Sequence, residues 1–243
     1  MCGSLFPAAK QLEMSVGTNP PQNPKGPIPT LARTTLNLTV VLIGVYVILD
    51  IVAQLLPPHY NAITQAESDL AVGPYGYVMS ANFVVRGLLS TTFLVGLTGA
   101  TRIGSRTRAG LGLIGIWAIG AFLLAIFPTD IGPTESTLHG QLHLLIALIA
   151  FVAAAVGVAL TSIQFRKEDR LRGFAPTASL LSALTILSFL VFLIATPVHF
   201  LFTHAYGLLE RIFIGMVLLW ILAVSLYLLI NDSGRKQPTG NNH

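Results

Sequence analysis

Two histidines four residues apart are the first side chains in this sequence whose spacing could do chemistry. His139 and His143 open an apolar run, and on a helix this spacing projects both imidazoles from one face, about 40° apart. Imidazoles so placed can bind zinc, with Asp130 or His199 as further ligands. Gly140 stands where the zincin motif has glutamate, so that motif is excluded. The pair indicates a zinc site, a hydrogen-bonded ligand or proton pocket, or interfacial histidines with structural partners.

Asp130 and Glu210 are the candidate catalytic acids. With a bound metal, Asp130 would be the base that takes a proton from a metal-activated water, which would then hydrolyse a lipid amide or ester. Without a metal, Glu210 or Asp130 would donate the proton that starts a reaction of an isoprenoid. Glu210 stands near the start of an apolar run, where the helix dipole favours the ionised carboxylate. A charge at the membrane interface, with no chemical role, is the alternative for Glu210.

Arg86 lies deep in an apolar run, about 14 Å from its end at 1.5 Å per residue. A charge at that depth costs roughly 2.5 to 3.5 kcal/mol, so we expect Arg86 to have a partner. Asp50 is the nearest acid in depth and Glu210 the second. Either Arg86 binds an anionic group of a substrate, together with Asp50, His199 and His204, or it forms a structural ion pair that fixes helix register.

Membrane helices must position these side chains. The chain has 243 residues, of which 53% are hydrophobic and 10% are charged, against about 25% charged in soluble proteins. Six apolar runs are each long enough to cross a bilayer as a helix, and lipid cannot satisfy the backbone of any other spanning structure. The runs are residues 35–56, 77–100, 109–127, 142–165, 177–200 and 207–230. The sequence predicts an all-α, polytopic membrane protein, a bundle of six transmembrane helices in the lipid bilayer.

Charge fixes the predicted topology. Of the 14 Lys and Arg residues, all but Arg86 and Arg211 lie in the tails and in alternate loops, whereas five of the 6 histidines lie in the other loops or beside them. The positive-inside rule therefore predicts cytoplasmic termini and a multi-pass protein of the cell membrane. Because the cations are spread over short segments, the basic pI of 9.5 does not indicate nucleic acid as a partner.

The segments outside the bundle have simple predicted roles. Residues 1–34 are rich in proline and are predicted to be a disordered cytoplasmic tail, residues 35–230 to be the six-helix transmembrane domain, and residues 231–243 to be a second cytoplasmic tail. Glu67 and Asp69 lie in the longest outer loop, residues 57–76, where we expect them to be solvated.

Small residues predict close contacts between helices. The third apolar run carries Gly110, Gly112, Gly115 and Gly120, and the fourth carries Gly157 four residues after an alanine. Small side chains at this spacing let helix backbones approach each other in a bilayer, where apolar burial gives no driving force. We therefore expect these glycines to lie in helix contacts.

Three segments together resemble a known family. They are Glu-Ser-Asp-Leu-Ala-Val-Gly at 67–73, Phe-Pro-Thr-Asp at 127–130, nine residues before His139, and Gly-Leu-Leu-Glu-Arg-Ile at 207–212. On these segments, residues 35–230 resemble the six-helix bacterial and archaeal membrane proteins grouped as domain-of-unknown-function family 998. This resemblance implies the topology and no particular chemistry.

A looser likeness is to the alkaline-ceramidase-type membrane hydrolases, which hold zinc among transmembrane helices. Asp130, His139, His143 and His199, with Ser68 or Ser80, are similar to the histidine, aspartate and serine inventory of those enzymes. Their helix number and motif order differ from those of this chain, so the likeness implies no assignment residue by residue.

The sequence thus predicts a polar, histidine-rich pocket on the non-cytoplasmic side. It would bind a small molecule, a lipid or an isoprenoid, and act on it by metal-dependent hydrolysis or by acid-initiated chemistry. The alternative is a noncatalytic transporter or a membrane scaffold subunit in which Arg86 forms a structural ion pair. A zinc ion is the cofactor that these residue types could hold; the sequence carries no glycine-rich phosphate loop and no haem-attachment motif.

The topology is testable with reporters. An enzyme that is active only in the cytoplasm should be active when fused to the carboxyl terminus and inactive when inserted after Thr129, because these two points are predicted to lie on opposite sides of the membrane. A reporter that is active only outside the cytoplasm serves as the control and should give the reverse pattern. If both reporters gave the opposite results, the assignment of the two sides would be reversed.

Overall fold

The computed structural model describes residues 26–101, 105–131, 136–195 and 205–233. Most of the two predicted tails, and both His199 and His204, lie outside these residues. Six long helices account for most of the described chain, which contains no strand. They are α1 (Thr30–Leu55), α2 (Gly76–Ala100), α3 (Ser105–Leu124), α4 (Leu138–Gln164), α5 (Ala175–Ala195) and α6 (Tyr206–Ser233). The predicted all-α class is confirmed.

Five of these helices are long and apolar enough to cross a membrane, whereas the apolar part of α3, Arg108–Leu124, is shorter. The chain is therefore a helical membrane protein, and its environment is a lipid bilayer. That α3 also crosses, which would make six spans, stays a prediction.

Two helices begin earlier than the apolar runs of the sequence, because local residues favour a helix start there. The first helix begins at Thr30, directly after Pro29, because proline is favoured at a helix start, where a backbone donor is not needed. The fourth begins at Leu138, because the Thr137 side chain accepts a hydrogen bond from the Gly140 amide and so caps the helix. His139 and His143 consequently both lie on α4.

The helices form a closed ring. Each helix packs against the next in the chain, and α1 packs against α6. The indole of Trp220, on α6, is buried in this ring: it stacks on Phe165 with ring centroids 5.9 Å apart and meets the edge of Phe93 at 5.5 Å. Its Nε1 donates a hydrogen bond to Ser162 Oγ over 2.9 Å. Trp220 thereby joins α2, α4 and α6.

The start of α1 and the end of α6 lie at one end of the bundle. The Ile28 amide donates to Asp232 Oδ1 over 2.7 Å, and Arg33 forms an ion pair with the same carboxylate. Arg170, in the connection between α4 and α5, donates to Gly26 O over 2.6 Å. We call this the inner end and the opposite one the outer end. Which of them faces the cytoplasm stays a prediction.

Three of the glycines permit close contacts between helices, as expected. A Cβ on Gly110 would lie 2.5 Å from Thr161 Oγ1, and one on Gly157 would lie 3.0 Å from Gly110 O. A Cβ on Gly120 would lie 2.7 Å from that of Ala150. The expectation is wrong for Gly112, where an added Cβ would meet none of the described residues within 4 Å.

This difference predicts the effect of adding a methyl group. Gly110→Ala should lower the free energy of unfolding by about 1–3 kcal/mol, because the methyl must displace a packed neighbour. Gly112→Ala, on the same helix, is the control and should be neutral or slightly stabilising. Thermal unfolding of both variants in one detergent measures the difference; equal midpoints would contradict the close contact between α3 and α4.

Candidate functional site at the outer end of the bundle

The loop after α1 folds into the bundle. Glu67 begins a short 3-10 helix, Glu67–Ala71, and is only 2% exposed. Its Oε1 accepts a short hydrogen bond from the Tyr46 hydroxyl of α1, and its amide donates to Glu210 Oε2 of α6 over 2.6 Å. The expectation that Glu67 is solvated is therefore wrong. Its backbone and side chain join α1 to α6.

Arg211 connects this loop to α6 through hydrogen bonds. Its Nη1 donates to Ala62 O over 3.2 Å and to Gln65 O over 3.3 Å, and its Nη2 donates to the Tyr60 hydroxyl over 2.7 Å. Gly207, one turn earlier, lets the loop pass against the helix, since a Cβ there would overlap Gln65 O. The glycine and arginine of the Gly-Leu-Leu-Glu-Arg segment both serve to hold the loop.

Burial changes the acidity of two loop groups. It is the main factor that raises the pKa of the Tyr60 hydroxyl and of the Asp69 carboxyl. The Arg211 cation lowers both pKa values but offsets only part of the effect. Asp69 is half-buried, so the expectation that it is solvated is only partly correct.

Asp50, on α1, interacts with Gln54 and Arg211 and does not pair with Arg86. Its Oδ2 accepts a hydrogen bond from Gln54 over 2.6 Å, and its Oδ1 lies 4.0 Å from Arg211 Nη2. The expected Asp50–Arg86 pairing is wrong because Arg211 reaches Asp50 from α6. Among the described residues, Oδ1 of Asp50 has no hydrogen-bond partner.

Arg86 is 1% exposed and is held by aromatic rings. Its guanidinium carbon lies 4.9 Å from the ring centre of Phe83 and 4.8 Å from that of Trp117. Such cation–π contacts stabilise a desolvated cation. No carboxylate of the described residues lies within 4.0 Å of it, and its Nε has no described hydrogen-bond partner. The expected pairing with Glu210 is therefore also wrong.

The two histidines of α4 have different surroundings. His143 is buried, and its Nδ1 lies 2.7 Å from Phe127 O. Because a carbonyl oxygen only accepts, this Nδ1 carries the proton, and Nε2 is left as an acceptor when the ring is neutral. His139 is exposed, and its ring centre lies 5.7 Å from that of Phe127.

Asp130 caps α4. It accepts hydrogen bonds from the amide of Thr137 over 2.8 Å and from its hydroxyl over 2.7 Å. Gly140 makes room for it, since a Cβ there would overlap the carboxylate. This is the structural basis of the spacing between Asp130 and His139. The predicted catalytic role of Asp130 is untested and stays a prediction.

The zinc prediction also stays open. Among the described residues, no three His, Cys, Asp or Glu side chains are grouped so that they could hold a metal ion. His199, which was predicted as a ligand beside His139 and His143, lies outside the described chain, as does the predicted substrate contact His204.

Two grooves reach the polar groups at the outer end. One, the α4–α5–α6 groove, has a volume of about 280 Å³ and ends at Ser68, His143, Tyr206 and Glu210. The other, the α1–α6 groove, has a volume of about 310 Å³ and ends at Tyr46, Asp50, Glu67 and Arg211. The rest of both linings is mainly apolar. The structure thus brings Glu210 and His143 into one groove and places Asp50 in the other, whereas Arg86 does not line either groove among the described residues.

Glu67 and Tyr46 line the α1–α6 groove, and the sequence does not predict either of them as a candidate site residue. Glu67 lies in a polar loop segment without helical periodicity, and Tyr46 lies in an apolar run where a tyrosine is unremarkable. The available signal for Glu67 was its place at the start of segment 67–73, one of the three segments that resemble the family.

A ring of apolar helices with a buried polar end and two lateral grooves defines a polytopic membrane protein. The chain belongs to the family described as "Protein of unknown function (DUF998)", whose model matches residues 40–227. The family prediction is thus confirmed. Neither a curated protein nor a solved structure matches the chain, and the likeness to alkaline ceramidases stays a hypothesis.

The contacts of Arg211 predict how the loop can be released. Arg211→Gln should speed amide hydrogen exchange in residues 58–72 at least about tenfold, because hydrogen bonds to a charged group contribute about 1.5–3 kcal/mol. Arg172→Gln is the control, since Arg172 is exposed and pairs with exposed Asp169 at the inner end. Exchange measured by mass spectrometry that was the same in both variants would contradict the role of Arg211.

Proposed function

We propose that this protein binds a membrane lipid or isoprenoid in the α4–α5–α6 groove, with the apolar chain along the helices and the polar end against His143 and Glu210. The observation that carries this proposal is that an imidazole and a carboxyl group, together with the hydroxyl groups of Ser68 and Tyr206, line a groove whose remaining walls are apolar.

The position of the groove supports a ligand that comes from the bilayer. Leu144, Leu148 and Leu193 line the groove and are also exposed on the flank of the bundle. In a membrane this flank faces hydrocarbon, so a lipid chain enters the groove without crossing water. The groove volume of about 280 Å³ is close to the lower end of the range for small-molecule sites, roughly 300–1,000 Å³.

The polar end of the groove supports recognition of a head group with hydrogen-bond donors. Nε2 of His143 accepts no hydrogen bond from the described residues, and Glu210 contributes a carboxyl group of which one oxygen is already bonded to the Glu67 amide. A hydroxyl or amide head group would satisfy the remaining acceptors.

Of the two predicted chemistries, this arrangement supports the acid-initiated one better. Glu210 lines the groove, whereas Asp130 does not and is engaged with Thr137. Glu210 would therefore give or take the proton, with His143 as the second proton-transfer group. Zinc would need ligands beyond the described residues.

A substitution that fills the groove tests the binding. Ala147→Phe places a ring in the groove, so we expect the purified variant to lose a lipid that the wild-type protein retains at stoichiometric amounts. Ala183→Phe is the matched control, because Ala183 is exposed on α5 and does not line the groove. Mass spectrometry of lipids extracted from each purified protein measures the loss. Identical lipid content in the two variants would refute the proposal.

A second arm of this experiment separates binding from chemistry. Glu210→Gln keeps the side-chain shape and an acceptor for the Glu67 amide but removes the acidic group. If Glu210 transfers a proton, the variant should retain the lipid but no longer convert it. Conversion at the wild-type rate would contradict the catalytic role of Glu210 while leaving the binding site intact.

A further inference from the structure

The α1–α6 groove is separate from the groove of the proposed function. Its apolar walls come from α1 and α6, and its volume is about 310 Å³. Val47 and Leu219 line it and are 46% and 45% exposed, so this groove also opens on the flank of the bundle. The described residues that line it do not line the α4–α5–α6 groove.

The division between the grooves follows from two pairs of consecutive residues. Glu67 and Arg211 line the α1–α6 groove, whereas Ser68 and Glu210 line the other one. Neighbouring residues point about 100° apart on an α-helix and about 120° apart on a 3-10 helix, so one turn of α6 and one turn of the 3-10 helix contribute side chains to both grooves. The α1–α6 groove therefore receives its own set of charges.

These charges leave unmet hydrogen-bond acceptors. Among the described residues, the buried oxygens Oε2 of Glu67 and Oδ1 of Asp50 have no hydrogen-bond partner. The Tyr46 hydroxyl already donates a hydrogen bond to the other oxygen of Glu67, Oε1. Both Nη atoms of Arg211 donate to the outer loop, and Nη2 lies 4.0 Å from Asp50 Oδ1, too far for a hydrogen bond. Its Nε, although without a described partner, is a single donor. The polar end of the groove thus has two carboxylates against one cation.

We propose that the α1–α6 groove is a second lipid site, specific for a lipid with a primary ammonium head group. The ammonium would lie between Asp50 and Glu67, and an acyl chain would lie along Ile214 and Leu218. An ammonium offers three N–H donors and a positive charge, which match two buried carboxylate oxygens that accept no hydrogen bond from the described residues. A trimethylammonium head group has the charge but no N–H donor, and an anionic head group without an amine would be repelled.

The two carboxylates favour a lipid with an ammonium head group over an apolar helix as the occupant of the groove. An apolar helix would cover the leucines and leave these oxygens of Asp50 and Glu67 buried without a hydrogen-bond donor. The ammonium head group satisfies both, and its chain fills the apolar part.

The test compares two lipids that differ only at the amine. Delipidated full-length protein in detergent is titrated with phosphatidylethanolamine and with phosphatidylcholine of the same acyl chains, and bound lipid is counted by native mass spectrometry. We expect phosphatidylethanolamine to bind about tenfold more tightly, the factor that one charge-assisted hydrogen bond provides. Glu67→Gln and Asp50→Asn should each reduce this preference, because they remove a charge with little change of shape.

Two further variants test the groove itself and leave both carboxylates unchanged. Gly215 lines the groove, and a Cβ there would meet none of the described residues within 4 Å, so Gly215→Leu should place a side chain in the groove and abolish the preference. Gly112→Leu, at an equally open position outside the groove, should leave the preference unchanged. Ala147→Phe should also leave it unchanged, which separates this site from that of the proposed function.

Three results would overturn the inference. Equal affinity for the two lipids would show that the carboxylates do not select an ammonium. Retention of the preference in Gly215→Leu would place the ammonium site elsewhere. If Gly215→Leu changed the oligomeric mass of the protein without changing lipid binding, the groove would be a contact between copies of the chain.

Discussion

The insertion of a polar loop between α1 and α6 is the constraint on which the outer end depends. A backbone amide or carbonyl that reaches membrane depth without a partner costs several kcal/mol. Here Glu210 accepts the amide of Glu67, and Arg211 donates to the carbonyls of Ala62 and Gln65. Two consecutive charged residues of one helix thus satisfy the backbone of the segment that lies against it.

The same contacts explain how several charges are buried together. Glu67 and Glu210 are joined through a backbone amide, and Arg86 lies close enough to interact electrostatically with Glu210 and with Tyr46. Arg86 itself is held by Phe83 and Trp117 and needs no adjacent carboxylate. The positive charge of Arg86 therefore acts on Glu210 from a distance, without a direct ion pair.

Hydropathy and charge were enough to predict the all-α membrane class, and the three shared segments were enough to predict the family. They could not predict which side chains meet, because depth in the membrane does not determine the direction in which a residue faces. Arg86 and Asp50 were matched by depth, yet Arg86 faces Trp117 of α3 and Asp50 faces Arg211 of α6. His139 and His143 share a helical face but lie at the edge of the bundle, where one is exposed and the other is buried. Glu67 was missed because the burial of a loop depends on partners that lie far away in the chain.

The 3-10 helix Glu67–Ala71 has a consequence that follows from its place between the grooves. It is a shared wall of only five residues, with Glu67 on one side and Ser68 on the other. A molecule that displaces this wall from one side changes the shape of the space on the other side. Thermodynamic linkage then requires the effect to be reciprocal: whatever the first occupant does to the affinity of the second, the second does to the first by the same factor.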